Sequence, residues 1–211
     1  MTSFRAWLCT LKVYTQPASL RMLALGFSAG LPLLLVLGTL SFWLREAGID
    51  RTTIGYLSWV GLAYAFKWVW APLVDRLPLP GLTRRLGRRR SWLLLSQLLI
   101  AAGLLGMASQ NPQLALTPMV WSALVVAFGS ATQDIALDAY RIESASMQEQ
   151  AALAATYQTG YRLAMIWAGA GVLWVATLAQ GAQLGYAVRA WQVAYSVMAA
   201  CMVVGIVTVL L

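Results

Sequence analysis

Histidine is absent from all 211 residues. That removes the commonest metal ligand, the usual haem ligand and the usual general base of a hydrolase together. Cysteine is scarce: Cys9 and Cys201 stand far apart and fit neither a disulfide framework nor a metal motif. No cofactor and no metal are expected. Charge is low for a chain of this length, at 10% of residues, while 60% are hydrophobic and the mean hydropathy is +0.70. A water-soluble domain carries far more charge on its surface, so the solvent expected here is lipid.

In place of charge there are long apolar runs. A helix needs about 20 apolar residues to cross a hydrocarbon core of roughly 30 Å. Such runs recur near 20–44, 54–74, 92–108, 116–138, 151–179 and 188–211. The expected fold is all-α and integral to the membrane, a six-transmembrane-helix bundle over 20–211 preceded by a cytoplasmic segment over 1–19. The first run, LALGFSAGLPLLLVLGTLSFWL, is too long for a signal-peptide core, and five more follow it. No soluble domain and no low-complexity segment is present.

The net charge of +8 is unevenly placed. Arg76, Arg84, Arg85, Arg88, Arg89 and Arg90 crowd the link between the second and third runs, and Arg5, Lys12 and Arg21 lie near the start. The link REAGIDRTT balances two acids with two bases, and SQNPQLA carries none. Short arginine-rich loops stay in the cytoplasm, which places the N-terminus inside. Headgroup contact is the plainer use of these arginines. A nucleic-acid patch on a short loop with no domain behind it is not expected.

Gly26 and Gly30 in the first run, and Gly160, Ala164 and Ala168 in the fifth, have the small-xxx-small spacing that lets membrane helices approach closely. Pro32 removes a backbone hydrogen bond inside the first run and predicts a kink.

Four charges interrupt the apolar runs: Lys67, Asp134, Asp138 and Arg162. At the helical rise, Lys67 is roughly 12 Å along from Asp75, and Arg162 about 16 Å along a helix starting at Ala151. Asp134 and Asp138 share one helix face, and Arg141 follows three residues later. The plainer reading is that the basic side chains snorkel and that Asp138 touches headgroups. Charges at such depth more often face a bundle interior or a wet cavity and pair with one another. Lys67 and Arg162 are therefore the expected partners of Asp134 and Asp138.

GFSAGLPL, IDRTTIGYLSWVGLAYAFKWVWAPLVDR, GRRRSWLL, ATQDIALDA and GYRLAM together resemble the AmpG-type muropeptide permeases of the major facilitator superfamily. Asp75-Arg76 followed by Gly87-Arg88-Arg89-Arg90 is similar to that superfamily's signature between helices two and three, with LPLPGLTRRL inserted and Ala71 where glycine is usual. The resemblance implies one half of a transporter, built as two inverted three-helix repeats. It implies proton-driven import of anhydro-muropeptides across a Gram-negative inner membrane, in cell-wall recycling linked to β-lactamase induction. The partners implied are the bilayer, the muropeptide, protons and a missing C-terminal half.

Under that reading Lys67 and Arg162 suit peptide carboxylates, while Gln133, Gln158, Tyr64 and Tyr161 suit sugar hydroxyls. Burial favours the neutral form of an acid, so a buried carboxylate can carry the coupled proton. Asp134 is the first candidate and Asp138 the second. Asp75, Arg76, Arg88 and Arg141 form the expected cytoplasmic gate. The rivals are a carrier of another organic anion or of an acyl thioester, a truncated fragment that transports nothing, and a structural subunit. An enzyme is not expected: no nucleophile stands beside a base in any recognisable motif.

Overall fold

The computed structural model describes residues 13–147 and 149–211, so Arg5, Cys9 and Lys12 lie outside the described residues. Among the described residues, five helices are long and apolar enough to cross a membrane. They are α1 (Pro17–Glu46), α6 (Arg88–Ala108), α7 (Leu116–Glu143), α8 (Gln150–Gln180) and α9 (Val188–Leu210). No strand occurs among the described residues. The chain is an all-α, multi-pass membrane protein.

The expected second span is where sequence and structure part. Residues 51–76 do not form one long helix. They form α2 (Arg51–Leu57), α3 (Leu62–Ala65) and α4 (Ala71–Arg76), joined by 3-10 turns at Ser58–Gly61 and Lys67–Val69. Pro72 explains the last break: it has no N–H to give the Trp68 carbonyl, and its ring crowds that carbonyl. Trp70 (φ −105°, ψ 0°) accordingly leaves helical geometry, and Phe66 (φ −92°, ψ 6°) does so at the break before it. The N-terminal end of this segment is well anchored. Asp50 accepts from the Thr53 N–H at 2.8 Å and the Thr53 hydroxyl at 2.6 Å, which together hold its carboxyl below the usual range. A short α5 (Leu82–Leu86) sits in the arginine-rich link, between Gly81 and Gly87, whose φ values of 79° and 80° favour glycine.

Lipid offers no hydrophobic drive between helices, so close backbone approach has to supply the packing. The seam between α1 and α8 supplies it. A Cβ added at Gly26 would overlap the Tyr157 carbonyl, and one at Gly160 would overlap the Leu23 carbonyl and lie 2.9 Å from the Phe27 nitrogen. The same contact recurs at Gly30, where Ala164 would lie 2.9 Å away. Replacing Gly160 by valine is therefore expected to cost at least the about 1–3 kcal/mol of an overpacked core. Gly55→Ala meets no atom within 4 Å and should gain about 0.5–1 kcal/mol of helix stability. Unfolding of both variants in mixed micelles checks the pair, and an unchanged Gly160→Val would mean the seam is not the close contact described.

Both partners of that seam contain a π-turn, Leu35–Thr39 in α1 and Trp167–Gly171 in α8. A π-turn frees carbonyls that lipid cannot satisfy. Here Thr39 Oγ1 donates to the Ala168 carbonyl at 2.8 Å, and the Tyr195 hydroxyl of α9 donates to the Leu35 carbonyl at 2.9 Å. The helix runs on through Pro32, where a kink is expected, and the π-turn begins three residues later, at Leu35.

Beyond that seam, α9 packs on α6, α8 and α1, and α7 lies on α6 and on the broken second segment. One apolar core centres on Trp43, which stacks on Trp191 with centroids 5.9 Å apart. The two indoles donate to Tyr186 Oη at 3.0 Å and Glu46 Oε2 at 2.8 Å. A smaller core of Met22, Leu25, Val74, Leu93, Leu137 and Val209 lies at the arginine-rich end. The charged side chains sit beside this second core.

Candidate functional site

Asp134 lies roughly 14 Å in from the Glu143 end of α7, at the helical rise. Its partner comes from the break in the second segment. The 3-10 turn Lys67–Val69 sets Lys67 Nζ 3.7 Å from Asp134 Oδ2, with the two side chains 40% and 21% exposed. Trp70 fixes the turn against α7: its ring lies 4.5 Å from that of Phe128, and its Nε1 donates to Thr132 Oγ1 at 3.2 Å. The other carboxylate oxygen, Asp134 Oδ1, is buried without a hydrogen-bond partner. Tyr157 and Tyr161 of α8, with rings 6.0 Å apart, stand with Tyr64 within electrostatic reach of Asp134. The cluster joins one acid, one base and three phenols. Its free oxygen can take a proton or accept a donor, and its phenols can hydrogen-bond hydroxyls.

The second expected pair does not form. Asp138 meets Arg141 on its own helix at 3.3 Å, and the Arg141 guanidinium lies 5.8 Å from the Tyr157 ring centroid. Arg162 is exposed; its Nη1 reaches Met165 Sδ at 4.0 Å, and no carboxylate meets it among the described residues. Helix rotation gives the reason. Gly160 and Ala164 face α1, and Arg162, two residues from each, is turned about 200° away from that seam. Gln158 shares that outward face and is likewise exposed. Gln133, in contrast, is fully buried in the bundle, where its Nε2 donates to Ser28 Oγ at 3.2 Å. It offers no open face to a ligand.

At the arginine-rich end, Asp75 holds an arginine, but not an expected one. Arg89 Nη1 donates to Asp75 Oδ1 at 2.5 Å, while Arg89 Nε and Nη2 each lie 2.9 Å from Glu143 Oε1. One guanidinium thereby ties α4, α6 and α7 together. Arg76 and Arg88 are exposed and meet no acid among the described residues. Arg141, as above, belongs to Asp138. Arg89 and Glu143 are not among the residues expected from the sequence at this end. Three consecutive arginines point 100° apart on a helix, and only the rotation of α6 selects which one faces its neighbours.

Two comparisons with known proteins bear on this arrangement. A family model described as acetyl-coenzyme A transporter 1 matches residues 20–111. The anhydromuropeptide permease of Escherichia coli K12 is 41% identical over 201 residues, 95% of this chain. The chain is a homologue of the AmpG-type permeases. Similarity to that family extends to a putative transporter AmpG 4 of Rickettsia conorii, 34% identical over 94% of the chain. A Haemophilus influenzae protein without a functional name is 37% identical over 86%. The chain spans 38% of the Escherichia coli permease and 46% of the Rickettsia protein. Both the Lys67–Asp134 cluster and the Arg89 bridge therefore sit in a stretch shared by sequence with AmpG-type permeases.

Proposed function

We propose that this chain is the N-terminal part of a proton-coupled permease that imports anhydro-muropeptides across an inner membrane. Residues 20–211 are its transmembrane domain, residues 1–19 lie on the cytoplasmic side, and a C-terminal half supplies the facing wall of the path. The observation that carries the reading is the 41% identity to the Escherichia coli anhydromuropeptide permease across 95% of the chain. The Lys67–Asp134 cluster supports it physically. An unpartnered carboxylate oxygen inside an apolar bundle is costly, and it is retained where a proton or a polar ligand visits.

In this reading Asp134 carries the coupled proton, with Lys67 modulating it from 3.7 Å. Asp138, more exposed and held by Arg141, is the second candidate. Arg162, Gln158 and the Tyr64–Tyr161 phenols meet the substrate. Arg89, joined to Asp75 and Glu143, closes the cytoplasmic end, in place of Arg76 and Arg88. A second reading, a carrier of acyl thioesters, has the family model over residues 20–111 in its favour.

Membrane vesicles separate the two. The chain is joined to the portion of the Escherichia coli permease that the match leaves uncovered. Labelled anhydro-muropeptide should then accumulate when a proton gradient is imposed and leak back when an uncoupler is added. Accumulation of acetyl-coenzyme A with no muropeptide uptake would replace the first reading with the second.

A further inference from the structure

An open cleft of about 610 Å³ lies at the arginine-rich end of the bundle, walled by Arg76, Arg88, Arg89, Arg90, Tyr140 and Glu143 among others. Its volume is within the range of ordinary ligand sites. Its charge is not balanced from within. Arg89 is engaged by Asp75 and Glu143, and Arg90 Nε donates to the Val209 carbonyl at 2.7 Å. Arg76 and Arg88 have neither an acid nor a carbonyl partner among the described residues, and both are exposed. The backbone adds to the imbalance. The cleft includes the first turn of α6, which holds three arginines and no acid, and no side chain caps it. Cations at that end of a helix oppose the macrodipole, so the cleft is electropositive from two independent sources.

We propose that this cleft is a binding site for a phosphate diester, presented by the headgroup of an anionic phospholipid, with Arg76 and Arg88 as its two charged ligands. Guanidinium groups match phosphate oxygens in pairs, which a point charge does not. The position also suits a headgroup. The apolar stretch of α6 starts directly behind Arg90, and the half-exposed Trp92, whose Nε1 donates to the Leu77 carbonyl at 2.9 Å, stands at the level where membrane aromatics gather. This inference does not rest on the transported substrate.

The test uses the purified 211-residue chain in detergent micelles, with phosphatidylglycerol, phosphatidylcholine or inorganic phosphate added, read by native mass spectrometry and thermal unfolding. Phosphatidylglycerol should be retained and should protect, more strongly than phosphatidylcholine. Arg76→Gln and Arg88→Gln should each weaken its binding by about tenfold to a hundredfold. Neither side chain holds another residue in place, so both variants should keep the helical content of the parent. Arg189→Gln, an exposed arginine at the opposite end, should bind as the parent does. Unchanged phosphatidylglycerol binding in both cleft variants, or an equal loss in Arg189→Gln, overturns the site. Protection by inorganic phosphate with none from phosphatidylglycerol overturns the lipid as its source.

Discussion

Lys67→Ala should destabilise the folded protein, and adding Asp134→Asn should restore part of what was lost. The single change leaves a carboxylate whose Oδ1 already lacks a partner and whose Oδ2 then loses its cation. Breaking one side of a fully buried pair costs about 3–5 kcal/mol. Lys67 keeps 40% of its side chain open, so the smaller cost of a lost charged hydrogen bond, about 1.5–3 kcal/mol, is the better guide. Asn in place of Asp134 removes the stranded charge and keeps the shape, so the double variant should be more stable than Lys67→Ala alone. The unfolding free energies of the four proteins in mixed micelles give a coupling term, expected within about 0.5–3 kcal/mol. Strict additivity would mean that the 3.7 Å approach contributes nothing and that Asp134 is held by its surroundings alone.

The sequence carried this pair, but only by depth and sign. Both lie deep in apolar runs and carry opposite charge, and the bilayer's low tolerance for lone charge does the rest. Charge depth and sign alone do not carry rotation. Asp138 and Arg162 were paired on the same logic, yet the glycine seam of α8 turns Arg162 away from the bundle and leaves Asp138 to Arg141. The information was present in GYRLAM, because Gly160 and Ala164 fix which face meets α1. The same spacing that packs α8 on α1 also turns Arg162, between the two small residues, to the opposite face.

A similar separation holds for the fold. Five spans were legible from length and apolar content alone, and their ends lie within a few residues of the helices. The second was not legible as one continuous helix, since hydropathy is blind to hydrogen-bond continuity, and FKWVWAP is apolar enough to span while Pro72 weakens the helix just before it. That failure is informative. The break is what brings Lys67 to Asp134, and irregular backbone at membrane depth is tolerated where protein or a water-filled cavity covers it. Arg89 escaped for the same reason as Arg162: the choice among Arg88, Arg89 and Arg90 is made by the rotation of α6 against α4 and α7.

The outward position of Arg162 leads to the second large effect. If the proposed function holds, then in a protein completed to the length of its relatives Arg162→Gln should weaken muropeptide binding by about ten- to a hundredfold, the loss expected for one charged hydrogen bond. No carboxylate of the described residues meets this guanidinium, so its charge is available to a ligand acid. Muropeptides with blocked carboxylates should be affected much less. Asp134→Asn should do the reverse: binding is kept, because shape and hydrogen bonding survive, while accumulation driven by a pH gradient is lost. Binding and gradient-driven uptake, measured for both variants with intact and blocked ligand, separate the two roles. Should Asp134→Asn still accumulate substrate fully, the carboxylate is structural and Asp138 takes its place as the candidate. Should Arg162→Gln weaken both ligands equally, the arginine serves the contact with the facing half and does not read the substrate.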